Sequence, residues 1–545
     1  MTVEKIKKNS KNLRGTLLES LTNPITGAIK EDDQTVIKFH GIYQQDDRDK
    51  REIRAQKKLE KDYSFMIRLR IAGGKISAKD WLVINKIANE NSTGTIKITT
   101  RQTIQLHGVI KSKLKPTVAS FMNYGLDSIA ACGDVNRNVM ASVAIAQSEA
   151  YDEVYEISKK ISEHLLPKTN AFHEIWLDKE KISPEEEFDP LYLDTYLPRK
   201  FKIALAIAPF NDVDVFAHDI GFIAVIENGE LKGFNVAVGG GMGATHGNAE
   251  TYPRLGDLAG FITKDKILET AYNIATIQRD FGNRQERKNS RFKYTIAKYG
   301  LDWFIQEFEK RSGFKFEKIR SVSFKKRGDE YGYNQDYKGN WHFTIFVENG
   351  RVLNNEKSKL KQALFEIAQN NLSNFRFTNN QNIIISDILP KNKEKVTKIL
   401  QKYQVSNKNL TPIRLDSIAC VALNTCSLAL AEGQRYLPSL ISKIEPLLLK
   451  YNLLDDAISI RMTGCPNGCG RPYLAEIGLV GKSLGKYNLY LGGDRLGTRL
   501  NKLYKEDLEE TEILLELDKF FSNYSQNKKT DETFGDYIFR EVYEK

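Results

Sequence analysis

The sequence has no long apolar run and few cysteines, and both shortages exclude broad classes of protein. No apolar run approaches the roughly 18 residues that cross a bilayer, so we expect no membrane span. The first residues, MTVEKIKKNSKNLRG, lack the apolar core of a secretory signal, and they are not Arg-rich as transit peptides are. Five cysteines in 545 residues are too few, and an odd number, for a disulfide scaffold. We therefore expect a cytoplasmic protein in a reducing compartment.

Length and composition indicate a folded protein of several domains. A chain of 545 residues predicts about three to four domains. Hydrophobic residues make up 41% and charged residues 28%, which argues against disorder as the main state. The 81 Lys and Arg exceed the 70 Asp and Glu by 11. Such an excess is compatible with nucleic acid, an acidic protein partner or an anionic ligand.

The chain contains an internal repeat. Residues 65–110 and 343–388 both give a β-type run, a Gly turn, an amphipathic helix and a second β-type run. The pentapeptide LDSIA occurs at 126–130 and again at 415–419, each followed later by a helical stretch. These matches predict a duplicated chain.

The two copies differ in their polar residues. The first carries Arg101, Gln105 and His107 on its last predicted strand, and their odd spacing places them on one face. The second copy lacks these residues and leads into four cysteines instead. We expect the halves to face each other, one with basic groups and the other with soft ligands, around a ligand between them.

Four of the five cysteines form two close pairs. Five residues separate Cys420 from Cys426, and three separate Cys465 from Cys469. Four thiolates suit zinc or an iron–sulfur cluster. The wider pair exceeds the spacing that structural zinc sites favour, and the glycines of GCPNGCG let backbone pass close to a bulky group. Cys132 is distant in sequence from both pairs, and we interpret it as a buried structural thiol.

Several motifs resemble one family of enzymes. The stretch GCPNGCGRPYLAEIGLVGKSLGKYNLYLGGDRLGTRL, together with KFHGIYQQDDRD, TRQTIQLHG, VNRNV and TYLPRKFK, resembles the sulfite and nitrite reductases that carry sirohaem and a [4Fe–4S] cluster. The resemblance covers nearly the whole chain. It implies an α+β fold of duplicated sulfite/nitrite-reductase modules with pseudo-two-fold symmetry, in which ferredoxin-like half-domains accompany two α/β domains that bind sirohaem and cluster.

The resemblance also implies domain boundaries. The expected units are an N-terminal arm (1–63), a first ferredoxin-like half-domain (64–130), a sirohaem and substrate domain (131–339), a second ferredoxin-like half-domain (340–410) and a cluster and sirohaem domain (411–545). The polar tail from about residue 520 is expected to be loosely held.

The resemblance assigns roles to the cysteines. It implies that Cys420, Cys426, Cys465 and Cys469 bind the cluster, that Cys469 is also the axial ligand of the sirohaem iron, and that Asn467 contacts the cofactors. Some family members carry a Tyr–Cys crosslink near the haem. We expect its cysteine at position 141, which is Ala here, so we predict no crosslink.

The resemblance implies a role for the basic residues, because the many carboxylates of sirohaem require Lys and Arg partners. It implies that sulfite is bound by Arg68, Arg137, Lys200 and Lys202. Because neighbouring cations lower a lysine's pKa, we expect the two lysines to supply protons as well. The implied sirohaem contacts are Arg101, Gln105, His107 and Arg199, with Arg284, Lys288 and Arg291 as further candidates in GNRQERKNSRFKY.

The implied reaction is the six-electron reduction of sulfite to sulfide. Gly239–Gly243 does not form a G-x-G-x-x-G motif, so electrons must come from a partner. The likeness is to the type that uses a separate FAD and FMN flavoprotein with NADPH, and direct reduction by ferredoxin is the alternative. Nitrite reductases of the family usually have Asn where Lys202 stands, which favours sulfite. A non-catalytic zinc or iron–sulfur protein that binds nucleic acid is the competing class, and it would show no haem absorption.

Overall fold

The computed structural model describes residues 1–177 and 187–544. The strands are β1 (Ile42–Asp46), β2 (Tyr63–Arg68), β3 (Lys75–Ile76), β4 (Ile96–Ile98), β5 (Ile104–Val109), β6 (Met140–Ala141), β7 (Ile203–Ile207), β8 (Ile220–Glu227), β9 (Glu230–Val238), β10 (Asp257–Thr263), β11 (Gly332–Gln335), β12 (Trp341–Ile345), β13 (Arg351–Val352), β14 (Asn374–Phe377), β15 (Ile383–Ile388), β16 (Ser417–Ala419), β17 (Ile460–Thr463), β18 (Ile477–Ser483), β19 (Lys486–Leu491) and β20 (Lys502–Leu508).

The α-helices are α1 (Val3–Lys8), α2 (Leu17–Thr22), α3 (Glu31–Val36), α4 (Arg51–Gln56), α5 (Ala78–Asn91), α6 (Lys111–Asn123), α7 (Glu149–His164), α8 (Ala171–Leu177), α9 (Ile267–Phe281), α10 (Phe292–Tyr299), α11 (Leu301–Ser312), α12 (Leu360–Gln369), α13 (Lys393–Lys402), α14 (Pro412–Leu415), α15 (Leu437–Lys450), α16 (Glu510–Asn527) and α17 (Phe534–Ile538). Among the described residues, no helix is both long and apolar enough to cross a membrane.

Two five-stranded sheets form the ferredoxin-like halves and confirm the predicted repeat. Their orders are β1-β2-β5-β4-β13 and β11-β12-β15-β14-β3. Each sheet takes its last strand from the other half, since β13 pairs with β4 and β3 pairs with β14. Helices α5 and α12 pack against each other. This reciprocal exchange relates the halves by a pseudo-two-fold axis.

Two further five-stranded sheets repeat a second topology, with the orders β6-β7-β8-β9-β10 and β16-β17-β18-β19-β20. In both, the first three strands run parallel and the later pairs are antiparallel. The backbone N–H of Ile220 donates to the Lys202 carbonyl, and that of Ile477 donates to the Ser459 carbonyl. Lys202 and Ser459 are therefore equivalent positions in the two sheets.

Two expectations about the chain are wrong. The LDSIA copies are not equivalent, because residues 126–130 lie outside any helix or strand, whereas residues 415–419 include the end of α14 and the whole of β16. The strand that matches β16 in sheet order is β6. The tail is not loosely held, because Phe521, Phe534 and Ile538 are buried in the core of the last domain. These apolar residues are scattered among many polar ones, so the overall composition of the stretch does not reveal them.

Candidate functional site

The four paired cysteines lie on loops at one edge of the last sheet. Cys420 follows β16 and Cys465 follows β17, and these strands are parallel neighbours. The carboxyl ends of parallel strands meet at the same edge of a sheet, which brings the loops together. Burial raises the pKa of Cys420, and the nearby thiols of Cys469, Cys426 and Cys465 raise it further. All four thiols therefore lie within electrostatic reach of one another.

The surroundings of the thiols fit a cluster. The Gly464 N–H donates to Cys420 Sγ at 3.3 Å, and Asn467 Nδ2 donates to Cys465 Sγ at 3.5 Å. A Cβ atom on Gly464 would lie 2.6 Å from the Ala431 carbonyl oxygen, so only glycine fits there. Among the described residues, no three His, Cys, Asp or Glu side chains converge closely enough to hold a single ion. Four thiols with N–H groups directed at sulfur form a donor set that iron–sulfur clusters use.

Two lysines also lie within electrostatic reach of Cys469. Burial lowers the pKa of Lys200 to about 7, and Arg199 and Arg291 add to the shift while the Cys469 thiol opposes it. Burial lowers the pKa of Lys202 well below its usual value, Lys200 lowers it further, and Cys469 again opposes the shift. The Cys469 thiol thus interacts both with the other three cysteines and with this lysine pair.

Arg68 and Arg137 lie near a tyrosine and the fifth cysteine. Arg68 Nη1 is 3.3 Å from Cys132 Sγ. Burial lowers the pKa of Arg137, but Tyr43, Cys132 and Asp134 together raise it above its usual value. Cys132, assigned only a structural role from the sequence, therefore lies beside Arg68 and within electrostatic reach of Arg137. The crosslink expectation used position 141, but the cysteine that interacts with a tyrosine here is Cys132.

Gln105 and His107 lie on β5 as predicted and form a chain with Arg68. The Gln105 amide is oriented so that its oxygen accepts from Arg68 Nε at 3.0 Å and its nitrogen donates to His107 Nε2 at 3.3 Å. His107 Nδ1 is 3.0 Å from Gln45 Oε1. Burial lowers the pKa of His107 to about 3, with Lys97 and Arg68 adding to the shift, so the ring is neutral.

Arg101 is not on the strand, and that prediction is wrong. The residue lies in the turn before β5, where Gln102 has a left-handed φ of 53°. Its guanidinium Nη2 donates to the Asn138 carbonyl at 2.5 Å, and its Nη1 lies 3.5 Å from His218 Nδ1. The His218 Nε2 lies 2.9 Å from the Val213 carbonyl, which leaves Nδ1 to accept from Arg101. His218 is a buried positioning residue that the sequence did not single out.

The basic stretch 284–291 divides between two environments. Arg291 is buried and donates to Asp219 at 2.9 Å. Burial lowers the pKa of both Lys200 and Lys202, and the Arg291 charge lowers it further. Arg284 instead donates to Glu4 at 2.6 Å and to backbone carbonyls. Lys288 is exposed. The structure thus brings Arg291, with Arg199, to the lysine pair and does not bring Arg284 or Lys288 there.

Arg70 lies two residues after Arg68 but does not share its strand. The strand β2 ends at Arg68. Arg70 forms an ion pair with Asp127 at 2.6 Å. The Asp127 carboxylate therefore neutralises the charge of Arg70.

The Gly-rich loop 239–243 lies against the loop that carries Cys465 and Cys469. Lys293 Nζ donates to the Gly241 and Gly243 carbonyls at 3.1 and 2.6 Å. The Ala244 N–H donates to the Pro466 carbonyl at 2.8 Å. These contacts dock the Gly-rich loop on the CPNGC segment. The signal for this role was the run of glycines, although the sequence did not identify its partner.

A buried carboxylate joins the two halves. Asp214 lies within 2.5–2.8 Å of the guanidinium groups of Arg327, Arg461 and Arg471. Arg471 also donates to the Thr100 carbonyl at 3.1 Å, and Thr100 Oγ1 donates to the Cys469 carbonyl at 3.0 Å. We call Asp214 and these three arginines the Asp214 cluster. It fixes the segment after Cys469 against the turn that carries Arg101.

Comparisons with known proteins agree with this architecture. The model of the "Nitrite/Sulfite reductase ferredoxin-like half domain" matches twice, at residues 57–124 and 334–403. The model of the "Nitrite and sulphite reductase 4Fe-4S domain" matches residues 156–316. In fold, the chain is similar to the Mycobacterium tuberculosis NirA protein, with a TM-score of 0.82 over 99% of this chain and 96% of that one at 22% identity.

Relatives with closely similar sequences carry one name. A protein of Leptospira biflexa serovar Patoc, named sulfite reductase [NADPH] hemoprotein beta-component, is 59% identical over 98% of this chain and 97% of its own length. A Staphylococcus epidermidis protein of the same name is 51% identical over 99% of this chain and 94% of its own. Identity at this level along nearly the whole length leaves one conclusion: the chain belongs to the nitrite and sulfite reductase family.

Proposed function

We propose that this chain is the haem-bearing subunit of an NADPH-dependent sulfite reductase, which reduces sulfite to sulfide with six electrons in the cytoplasm. The observation that carries the proposal is the position of Cys469, whose thiol lies within electrostatic reach both of the other paired cysteines and of Lys200 and Lys202. A thiolate so placed can join a cluster to a haem beside an anion pocket. The names of the relatives support the choice of sulfite and NADPH.

The proposed cofactors are sirohaem and a [4Fe–4S] cluster. Cys420, Cys426, Cys465 and Cys469 would hold the cluster, and Cys469 would also ligate the haem iron. Gln105 and His107, with Arg101 and Arg199, would face the carboxylates of the macrocycle. When bound, the two groups would pass the donor's electrons to the substrate and provide the coordination position at which it is reduced.

The chain's own cations would bind and protonate the substrate. Arg68 and Arg137 would hold the oxyanion through their guanidinium groups. Burial and neighbouring cations lower the pKa of Lys200 to about 7, which makes it a better proton donor near neutral pH than an ordinary lysine. Each oxygen that leaves sulfite as water needs two protons. Lys200 and Lys202 would supply these protons to the substrate, either directly or through an intervening water molecule.

The proposed electron donor is a separate flavoprotein that carries FAD and FMN. Ferredoxin is the second candidate, since ferredoxin-dependent sulfite and nitrite reductases share the family's motifs. Lys202 favours sulfite over nitrite as the substrate.

The visible spectrum of the purified protein tests the proposal. We expect haem absorption that changes with sulfite, and iron and acid-labile sulfide in cluster proportion. Turnover assays with NADPH plus the flavoprotein, and with reduced ferredoxin, then separate the two donors. A colourless zinc protein from cells that make sirohaem, with affinity for nucleic acid that falls steeply with salt, would contradict the proposal.

A further inference from the structure

We infer that a second cavity, which the pseudo-two-fold relation of the halves makes the counterpart of the cysteine and cation site, binds a small aliphatic carboxylate. We call it the counterpart cavity. It has a volume of about 580 Å³ including its open mouth, and its wall comes from the segment 142–146, from α7 and from β14 and β15. In the described part of the chain, none of the cysteines or site cations discussed above lies in this wall. The inference therefore goes beyond the proposed function and does not depend on it.

The strand that lines the counterpart cavity matches the strand that lines the candidate site. The turns before β5 and β15 both have a left-handed residue two positions before the strand, at Gln102 and Gln381. In this register, Ile384 and Ser386 line the counterpart cavity at the positions where β5 carries the Gln and His of the candidate site. The polar pair has therefore been replaced by an apolar and a small residue, which leaves open space.

One end of the counterpart cavity is closed by a carboxylate. Ser142 follows β6 as Cys420 follows β16. The Asp212 carboxylate accepts from the Ser142 hydroxyl at 2.9 Å and from the N–H groups of Val143 and Ala144 at 2.6 and 3.1 Å. Burial raises the pKa of Asp212 to about 7, so this carboxyl is partly neutral near that pH. An oxygen acceptor thus stands where the other half has thiols, and the space that remains suits an organic ligand rather than a cluster.

Arg376 gives the counterpart cavity a fixed cation with an N–H group to spare. Its Nε donates to the Gly73 carbonyl at 3.1 Å and its Nη2 to the Ser142 carbonyl at 2.6 Å, which holds the guanidinium in place. Among the described residues, Nη1 has no hydrogen-bond partner, and the side chain lines the cavity. A fixed guanidinium with a free N–H group is suited to bind a carboxylate.

The carboxylates in the wall do not compensate the charge of Arg376, because they already have partners. Each lies within 3.1 Å of a basic side chain, in the pairs Asp387–Lys75, Asp336–His342 and Asp152–Lys338. Arg376 forms no ion pair with any residue that the structure describes. The counterpart cavity therefore has a place for one anionic group from a ligand.

Two tyrosines and an apolar wall define the rest of the ligand. The side chains of Tyr151 and Tyr155 line the cavity, and neither hydroxyl has a hydrogen-bond partner in the described part of the chain. Both hydroxyls can donate to a carboxylate that pairs with Arg376. Much of the remaining wall is apolar and consists of Val143, Ile145, Ile207 and Ile384. A short hydrocarbon chain would pack against this wall, whereas an inorganic oxyanion would leave it uncovered.

Calorimetric titration of the holoenzyme with butyrate tests the inference. We expect the wild type to bind butyrate, and the variant Tyr151→Phe/Tyr155→Phe to bind it about tenfold more weakly or worse, because hydrogen bonds to a charged group are lost. The tyrosines are a safer test than Arg376, which also holds two backbone carbonyls. The matched control Tyr124→Phe removes the hydroxyl of an exposed tyrosine and should bind as wild type. Lys202→Met should do so too, because this lysine is not in the wall.

Formate tests the assignment of the ligand class. It has the carboxylate without the chain, and we expect it to bind about tenfold more weakly than butyrate, because less apolar surface is buried. Equal affinities for formate and butyrate would overturn the assignment to an aliphatic carboxylate. Absence of butyrate binding, or unchanged affinity in the tyrosine double variant, would overturn the site. Loss of binding in Lys202→Met would place butyrate among the catalytic cations and would also overturn it.

Discussion

Replacing Asp214 with Asn should destabilise the protein strongly, because the change leaves buried guanidinium groups without their carboxylate. Asp214 is about 1% exposed and lies 2.7 Å from Arg327, 2.8 Å from Arg461 and 2.5 Å from Arg471. Breaking a buried ion pair by removing one partner costs about 3–5 kcal/mol. We expect a loss of at least this order, since one substitution removes the partner of three cations.

The pH range of this contribution follows from the sign of the pKa shift. Burial raises the pKa of Asp214, but the three arginines hold it well below its usual value of 3.8. A carboxylate whose folded pKa is lowered stabilises the fold fully above its unfolded pKa, and the contribution is lost as pH falls through the folded pKa. The variant should therefore show the same deficit at pH 6 and pH 8.

Urea unfolding followed by circular dichroism measures the loss, and the first midpoint is compared because a chain of this length unfolds in more than one step. The double variant Asp214→Asn/Arg461→Met removes one stranded charge, so it should be less destabilised than the sum of the single variants by about 1 kcal/mol or more. Asp518→Asn, which breaks an exposed pair with Lys450, should change stability by less than about 1 kcal/mol. Additive single effects, or a loss below about 1 kcal/mol for Asp214→Asn, would refute the reasoning.

Three further predictions concern the site. Lys202→Ala should reduce sulfite turnover far more than haem content, and equal loss of both would show that the lysine only holds the cofactor. Cys465→Ser should lose iron and acid-labile sulfide, whereas Cys132→Ser should retain both; equal metal loss would contradict the ligand assignment. Burial lowers the pKa of Lys97 to about 7. Between pH 7 and pH 8.5 the folded apoprotein therefore loses a proton that the unfolded chain keeps. The folded state gains stability over this range, so the melting temperature of the apoprotein should rise. Lys97→Met should flatten that rise, and an identical pH dependence in both proteins would exclude this cause.

The sequence predicted those parts of the fold that have a local pattern. The repeat 65–110 and 343–388 was visible because its strands and helices are long enough to show hydrophobic periodicity. The exchange of β3 and β13 between the sheets was not visible, since each strand has two residues and no period. The LDSIA identity misled because a short identity carries no information about backbone conformation.

In the candidate site, too, the features with a local sequence pattern could be predicted and those created by tertiary contacts could not. The cysteine loops could be predicted because ligand spacing is a local property. The choice among the arginines of 284–291 could not, because Arg287 binds Asp134 at 2.8 Å and Arg291 binds Asp219 through contacts that only the tertiary fold creates. Arg101 was misplaced because one left-handed residue, Gln102, ends the strand register before it. Tyr43 lay in a quoted motif, but nothing local connected it with Cys132.

The duplicated sheets explain why one chain builds a single site with two chemistries. Hydrogen bonding makes Ser142 the counterpart of Cys420, because the N–H of Ser142 donates to the Leu205 carbonyl as that of Cys420 donates to the Met462 carbonyl. The first sheet thus has no thiol at this position, and the second has Ser459 where the first has Lys202. Asp214 and Arg471 are also counterparts, each left-handed in backbone and each preceding a 3₁₀ helix.

That last pair shows how divergence of the copies holds the site together. Two equivalent positions near a pseudo-two-fold axis face each other, so identical residues there would place like charges in contact. Asp214 and Arg471 carry opposite charges and meet at 2.5 Å with almost no exposure. The ion pair can form only between unlike copies. It therefore favours the assembly in which the cysteines of one half face the cations of the other.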